Sequence, residues 1–186
     1  MSLTLTIVLA AIAAAAVALV LLYNKLVGLR AMVENGWSDI DVQLKRRADL
    51  IPRLVDTVKG YAAHERELFQ GVVEARNRAL GAGADVDARG AAEGAVSRGT
   101  SRLFALKEAY PDLKANRNFL DLQDELSETE DKIEFARRFY NGATRELNTA
   151  VETFPTNLIA GPLGFGPRPY FEMTGSRDAP DVGFSA

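Results

Sequence analysis

The chain has 186 residues, with 22 Lys and Arg, 25 Asp and Glu, one His and no Cys. That length is enough for one modest domain with a hydrophobic core. The lack of cysteine excludes disulfides and thiolate zinc sites, and the single histidine excludes any site that needs two. A net charge of −3 gives no indication of nucleic-acid binding.

The N-terminal segment, residues 1–22, has no charged side chain, and Lys25 is the first in the chain. Leu3–Leu22 reads LTLTIVLAAIAAAAVALVLL. Twenty helical residues rise about 30 Å, which is the thickness of the hydrocarbon core of a bilayer. A cleaved signal peptide would begin with basic residues, which are missing, and a buried core helix would need cover on every face. We therefore predict a single membrane-spanning anchor over residues 1–22.

The charges that flank this anchor predict its orientation. No Lys or Arg precedes the apolar run, and the nearest basic residues all follow it: Lys25, Arg30, Lys45, Arg46 and Arg47. By the positive-inside rule, the N-terminus lies outside and the remainder of the chain lies in the cytoplasm. We expect a single-pass protein of the cell (inner) membrane.

The anchor also contains a regular pattern of small residues. Ala10, Ala14 and Ala18 recur every four residues and so share one helical face. In lipid, small residues on one face let two helices approach closely, which favours self-association. Plain richness in alanine explains the same pattern without any contact between copies, so both interpretations stay open at this point.

Apolar residues recur at helical spacing from residue 23 to residue 160, and no strand or hairpin signal occurs there. Three features divide this region into four predicted helices: Pro52, the glycine-rich connector Gly81–Gly90, and Pro111. Proline removes a backbone donor and disfavours helix in the residue before it, so Pro52 is expected to end the first helix or to start the second. The third helix ends near Tyr110, and the fourth is expected from about Asp112 to Thr153.

Four amphipathic helices joined by short connections predict an antiparallel four-helix bundle over residues 23–160. The fourth helix is the longest and would extend about 60 Å at 1.5 Å per residue, so the bundle is expected to be elongated. The predicted fold class is therefore all-α, with an N-terminal transmembrane helix followed by an elongated antiparallel four-helix bundle.

The composition changes after residue 160. Residues 161–186 read GPLGFGPRPYFEMTGSRDAPDVGFSA and contain nine Gly or Pro, which exclude a long helix. We predict a separate Gly- and Pro-rich tail over these residues. Its aromatic side chains are unusual for a disordered tail, so it either packs along the bundle or a neighbour, or stays loose. These aromatic residues are Phe165, Tyr170, Phe171 and Phe184.

The stretch WSDIDVQLKRRADLIP, residues 37–52, is dense in charge and is therefore a candidate for a chemical site. On a helical wheel its apolar residues share one face, whereas its charges are spread around the remainder and do not converge. A solvated helix surface is favoured for that reason. Asp39, Val42 and Arg46 form its outer face, where we predict an oligomer contact with a neighbouring copy of the chain.

The fourth predicted helix holds polar residues beside its apolar stripe, because Asn116, Gln123, Glu130 and Arg137 recur every seven residues. Buried polar groups need partners, and Asp41, Arg47 and His64 are candidates on the other helices. A catalytic or metal site is one interpretation, but a metal site in a helical bundle usually contains Glu-x-x-His motifs, which are missing. We predict a structural polar network that sets helix register. Its members are Asp41, Asn116, Gln123, Glu130 and Arg137.

Several stretches of the chain resemble one known family. They are YNKLVGLRAMVENGWSDIDVQLKRRADLIPRLVDTVKGYAAHE, EAYPDLKANRNFLDLQDELSETEDKIEFARRFYN, LNTAVETFPTNLIAG and PYFEMTGSRDAPDVGFS. Together they resemble the LemA family of bacterial membrane proteins over most of the chain from Tyr23 onward. The resemblance implies a four-helix cytoplasmic bundle behind an N-terminal anchor, and no established catalytic residues. A relative in magnetotactic bacteria is associated with forming magnetosome membranes, which implies, by analogy, a role in shaping or organising membrane.

The sequence contains no phosphate-binding loop, Gly-x-Ser-x-Gly, His-Glu-x-x-His or calcium-binding loop. We therefore expect no catalytic residue, no cofactor and no metal ion. The favoured function is a membrane-anchored structural protein that forms a homo-oligomer and organises or shapes the lipid bilayer. The alternative is an adaptor that binds a membrane-protein partner, such as a membrane protease or a signalling complex. An enzyme is the least favoured class, and no nucleic-acid partner is expected.

Overall fold

The structure, a computed structural model, describes residues 3–173, and every regular element in that range is helical. The helices are α1 (Leu3–Lys59), α2 (Arg66–Gly81), α3 (Val86–Ala105), α4 (Pro111–Lys114), α5 (Arg117–Glu152) and α6 (Asn157–Ala160), with a 3-10 turn at Leu106–Glu108. The prediction of an all-α chain with a long apolar N-terminal helix is confirmed for these residues. The antiparallel four-helix bundle stays a prediction.

Helix α1 runs without a break through Pro52, so the predicted helix boundary at that residue is wrong. Proline cannot donate a hydrogen bond to the carbonyl four residues earlier, which belongs to Ala48. Arg76 on α2 supplies another donor, because its Nε lies 2.6 Å from the Ala48 carbonyl oxygen. The carbonyl keeps a partner, and the helix continues to Lys59 before the chain turns into α2.

The fourth predicted helix is divided near its start, contrary to the expectation of one helix from Asp112. Helix α4 is a single turn that begins at Pro111, and α5 begins at Arg117. Between them, Asn116 Oδ1 accepts a hydrogen bond of 2.9 Å from the backbone N–H of Phe119. This is the contact of a helix N-cap, and it satisfies one of the free donors at the start of α5.

The described residues form two compact units, to which α1 and α5 both contribute. Residues 3–37 and 139–168 make up the first unit, and residues 38–138 and 169–173 make up the second. In the first, the rings of Trp37 and Tyr140 lie 5.6 Å apart. Gly36 permits this approach of α1 to α5, since a Cβ there would lie 3.1 Å from the Tyr140 Cα.

The second unit has a continuous hydrophobic core supplied by α1, α2, α3 and α5. Its buried side chains include Leu54, Phe69, Leu103, Phe119 and Leu126. Helices α2 and α3 pack closely where α3 carries Gly99, because an added Cβ there would lie 2.8 Å from Val72 Cγ2. The glycines of α3 therefore reflect close packing, and Asp85 Oδ1 caps its first turn by accepting from Ala88 N–H at 2.9 Å.

The described part of the predicted tail forms no helix of its own after α6: residues 161–168 belong to the first unit and residues 169–173 to the second. Phe165 is buried in the first unit, and Phe171 and Met173 are buried in the second. Gly90 of α3 makes room for residues 169–173, because a Cβ there would collide with the Glu172 carbonyl oxygen. Tyr170 is exposed, and Phe184 lies outside the described residues.

Candidate functional site

The apolar part of α1 is long and apolar enough to cross a membrane, and none of it is buried within the chain. Its large side chains are exposed, and so are Ala10, Ala14 and Ala18 on one face. In water, an all-round apolar surface of this length is unfavourable, whereas in a bilayer it is matched to the lipid. This segment is therefore a candidate membrane anchor, in agreement with the composition of residues 1–22.

The second unit contains a chain of paired charges, here called the charge cluster, made of Asp41, Arg47, Arg89, Glu93 and Glu130. Arg89 joins two acids: its Nη2 lies 3.3 Å from Asp41 Oδ1 and its Nε lies 2.9 Å from Glu93 Oε1. Arg47 continues the chain, because its Nη2 bonds to Glu93 Oε2 and its Nη1 lies 2.6 Å from Glu130 Oε1. The cluster thus connects α1, α3 and α5.

Arg47 is the centre of this cluster and is 0% exposed. Besides its two carboxylate partners, it donates to Ser97 Oγ at 2.7 Å and to the Glu93 carbonyl oxygen at 3.3 Å. Its Nε has no hydrogen-bond partner among the described residues. Burying ions removes their hydration, so such a cluster adds little net stability while making any misalignment of the three helices costly.

The residues of the predicted polar network take part in several separate contacts. Asp41 and Glu130 belong to the charge cluster, at opposite ends. Asn116 caps α5 and donates to Tyr61 Oη at 2.7 Å, and Gln123 accepts from Lys107 Nζ at 3.3 Å. Arg137 lies in the groove described below rather than beside Arg47. His64, a further candidate, is exposed.

Arg89 and Glu93 are the two cluster members that sequence reasoning missed. They lie one turn apart on α3, which its glycines made a weak helix by propensity alone. The sequence did contain a signal for this pair. Arg89 and Glu93 are four residues apart, and buried Val96 follows three residues later, so all three share one face of a helix. It marks a charged pair on the inner face of α3.

A groove of about 530 Å³ lies between α3 and α5 in the second unit and is here called the α3–α5 groove. Ser97 and Glu130, both partners of Arg47, line it, so the groove adjoins the charge cluster. Arg102 and Arg137 supply positive charge, and Met173 of the tail forms part of the wall.

The predicted outer face of α1 is exposed at all three of its residues, Asp39, Val42 and Arg46. Val42 is 60% exposed, which leaves an apolar side chain available for contact. Arg46 pairs at 3.8 Å with Glu128, which also accepts from Lys132 at 2.6 Å. Lys132, through this hydrogen bond and its charge, and then Arg46 hold the pKa of the Glu128 carboxyl below its ordinary value.

Over residues 3–173, no three His, Cys, Asp or Glu side chains are grouped as metal ligands would be. The carboxylates of the charge cluster face guanidinium groups, which hold them as ion-pair partners. This arrangement can fix the alignment of three helices.

The sequence model of the LemA family matches residues 36–184, which is more than half of the chain. The chain belongs to the LemA family. The match covers the whole charge cluster and the α3–α5 groove, whereas the apolar anchor lies before it. The LemA-family region therefore includes the described tail residues that pack against α3.

Two kinds of relative illustrate this LemA-family membership. Protein LemA of Metamycoplasma hominis is 28% identical over 140 residues, which are 75% of this chain and 64% of that protein. Magnetosome protein MamQ 2 of Paramagnetospirillum magneticum is 25% identical over 189 residues, covering 88% of this chain and 70% of that protein. Magnetosome protein MamQ of Magnetospirillum gryphiswaldense is 23% identical with the same coverage. The chain thus spans about two thirds of the length of these relatives.

Proposed function

We propose that this chain is a membrane-anchored, non-enzymatic helical protein that self-associates and organises or shapes the membrane. The observation that carries the proposal is the continuity of α1, which extends from the exposed apolar segment to Arg47 without a break. The helix that enters the lipid is therefore the same helix that holds the charge cluster. LemA-family membership and relatives named as magnetosome proteins support a role at a membrane.

Self-association in the membrane would use the small-residue face of Ala10, Ala14 and Ala18. These side chains are exposed, so no segment of the described chain covers that face. Two such helices can approach closely, because alanine leaves little more than backbone at the contact. A second contact between copies would use the outer face formed by Asp39, Val42 and Arg46, beyond the apolar segment.

The orientation belongs to the same proposal. Lys25 and Arg30 follow the apolar segment, and no basic residue precedes it. The positive-inside rule then puts the N-terminus outside the cell membrane and the residues after α1's apolar segment in the cytoplasm. A cysteine introduced at Asn35 should react with a membrane-impermeant maleimide only after the cells are opened. Labelling in intact cells would instead show that residue 35 lies outside, and the proposed orientation would be wrong.

The natural chain has no cysteine, so single cysteines report contacts between copies without interference. We expect Ala14→Cys to form disulfide-linked dimers when membranes are treated with a mild oxidant. Ile12→Cys is the matched control, since it lies on the opposite side of the same helix, about 160° away. Val42→Cys tests the second contact. Equal cross-linking at Ala14 and Ile12 would indicate random collision and would overturn specific self-association.

Membrane organisation needs its own experiment, because a dimer alone does not shape lipid. The purified full chain should be reconstituted into phospholipid vesicles and imaged by electron cryomicroscopy. We expect regular assemblies or altered vesicle curvature, both reduced by a bulky residue at the small-residue face, Ala14→Leu. Vesicles that stay smooth, with the protein scattered as monomers, would contradict the shaping function.

The α3–α5 groove favours a second candidate function, that of an adaptor for a membrane-protein partner. Its lining combines the basic side chains Arg102 and Arg137 with apolar Phe104 and Met173, so it offers both charged and apolar contacts to a partner segment. A photo-cross-linking residue at Arg102 should then capture one defined membrane protein in cells. The same residue at Arg78, which lies on α2 outside the groove, is the control. Capture by both positions alike would remove the support for an adaptor.

A further inference from the structure

One segment at the end of α5 has no charged side chain. Residues 153–167 read TFPTNLIAGPLGFGP and lie between Glu152 and Arg168. They are here called the uncharged segment. Such a run is unusual on a protein surface, where charged residues normally cover exposed backbone. Its composition alone does not show what it contacts, so its conformation and neighbours decide the argument.

The uncharged segment is folded back on itself by backbone hydrogen bonds. Phe165 N–H donates to the Ala160 carbonyl at 2.9 Å, and Leu163 N–H donates to the Ile159 carbonyl at 3.2 Å. Gly164 closes the turn at a φ of 76°, which is accessible to glycine without strain. The segment is anchored at its far end by Asn148, which donates to the Arg168 carbonyl at 2.9 Å.

This conformation leaves three large apolar side chains pointing away from the protein. Phe154 is 79% exposed, Leu158 is 66% exposed and Leu163 is 41% exposed. They occur within one short stretch that has no charge between them. Clustered exposed apolar residues mark a surface that is normally covered by a partner or by lipid.

The position of the uncharged segment relative to α1 indicates that lipid covers these side chains. Tyr140 packs on Trp37, and further along the chain Phe165 packs on Tyr23 with ring centroids 5.9 Å apart. The chain from Tyr140 to Phe165 therefore runs antiparallel to α1, towards its apolar part. Tyr23 directly follows the apolar run that ends at Leu22, at the depth where aromatic residues meet lipid headgroups.

Basic residues lie close to the uncharged segment, as they do where a protein meets lipid headgroups. The Arg30 guanidinium lies 4.9 Å from the centre of the Phe165 ring, and Lys25 is exposed on α1 near Tyr23. Arg168 directly follows the uncharged segment in the sequence. Lys and Arg at this depth extend their charged ends to lipid phosphates while their aliphatic stems stay in the apolar layer.

We propose that Phe154, Leu158 and Leu163 insert into the interfacial layer of the phospholipid bilayer, next to the point where α1 leaves it. The uncharged segment is then a second membrane contact, which fixes the tilt and rotation of α1 in a way that a single spanning helix does not. The inference rests on the proposed membrane anchoring, and it adds a lipid-binding surface formed by residues more than a hundred positions after the anchor.

The test uses single cysteines in the full chain, reconstituted into phospholipid vesicles and labelled with a fluorophore. Spin-labelled phospholipids quench the fluorophore only where lipid reaches it. Leu158→Cys probes the segment, Leu19→Cys probes the anchor, and Asn35→Cys is the exposed control on α1, about 18 Å beyond Tyr23. We expect quenching at position 158 to exceed that at position 35 by roughly twofold or more.

The outcomes separate this inference from the proposed anchoring. Quenching at position 19 with none at position 158 would overturn the second membrane contact and leave the anchor intact. No quenching at either position would overturn the anchoring itself. If the label at position 158 is shielded from both spin-labelled lipid and a water-soluble quencher, a protein covers the segment and the lipid assignment is wrong. As a further check, Leu158→Glu in a Phe154→Cys chain should lower the quenching at position 154.

Discussion

Arg76 Nε donates a hydrogen bond of 2.6 Å to the carbonyl oxygen of Ala48, which Pro52 leaves without its helical donor. This bond joins α2 to the C-terminal part of α1. Its carbonyl acceptor belongs to a buried residue, so loss of the donor would leave that oxygen without a partner away from water.

We predict that Arg76→Met lowers the free energy of unfolding by about 1–3 kcal/mol, the cost of leaving a buried acceptor unsatisfied. In a Pro52→Ala background the restored N–H bonds to Ala48, so the same substitution should cost about 1 kcal/mol less. Urea unfolding of the detergent-solubilised chain, followed by circular dichroism, measures both. Arg78→Met, which removes an exposed charge from the same helix, is the control and should change little. Additive effects of Arg76→Met and Pro52→Ala would show that Arg76 does not act by satisfying the Ala48 carbonyl that Pro52 leaves free.

The charge cluster should be highly sensitive to the loss of one partner. Arg47→Met leaves Glu93 buried beside a single guanidinium, and we expect a loss of about 3–5 kcal/mol in the free energy of unfolding. Adding Glu93→Leu removes the buried carboxylate that has lost one of its two cationic partners, and it should recover part of that loss because Arg89 keeps Asp41 as a partner. Arg53→Met is the matched control, since its pair with Glu125 is solvent-exposed at 3.8 Å. Equal effects of Arg47→Met and Arg53→Met would mean that water reaches the cluster.

Gly90→Ala tests the close approach of the tail to α3. A methyl group there would meet the Glu172 carbonyl oxygen, so the tail must move, and we expect a loss of about 1–3 kcal/mol. Displacement should also expose Phe171, which limited chymotrypsin digestion followed by mass spectrometry detects. Gly71→Ala is the control: nothing lies within 4 Å of its added Cβ, and it should stabilise α2 by up to about 1 kcal/mol. Unchanged cleavage at Phe171 in Gly90→Ala would refute the packing.

The pKa of Glu128 gives a prediction with a defined sign. It is lowered from the ordinary value of 4.5 by Lys132 and Arg46, so ionised Glu128 stabilises the folded state. That contribution is present above pH 4.5 and is lost as the pH falls through the lowered value. Thermal midpoints of the parent chain and Glu128→Gln should therefore differ slightly at neutral pH and converge in acid. High salt should shrink the difference, because the pair is exposed.

The sequence was informative about α1 and α5 because their apolar residues recur over many turns. The same rules failed at Pro52, where the deciding group, Arg76, lies 28 residues after the Ala48 whose carbonyl it satisfies and is invisible to local propensity. They also undervalued α3. Gly90 and Gly99 weaken a helix by propensity, but the space they leave is occupied by Glu172 and Val72, which are known only from the tertiary structure.

The charge cluster was likewise predictable from the sequence only in part. Helical positions identified Asp41 and Glu130 as polar groups near the core, yet they did not indicate the residues between them. Arg89 and Glu93 connect the two ends, and their burial depends on how α3 packs against α1 and α5. The uncharged segment could have been found from sequence as a run without charge, but its position beside Tyr23 required the contact with Phe165.

The separation of Arg47 from its partners along the chain has a consequence for biosynthesis. Glu93 follows Arg47 by 46 residues and Glu130 follows it by 83 residues. During translation the apolar part of α1 leaves the ribosome and can enter the bilayer while neither carboxylate has been made. At that stage Arg47 has neither of its carboxylate partners and stays hydrated until α3 and α5 have been made. If the proposed anchor inserts during translation, its insertion comes before the second unit can close, and a ribosome paused before Glu130 would hold an inserted but still open chain.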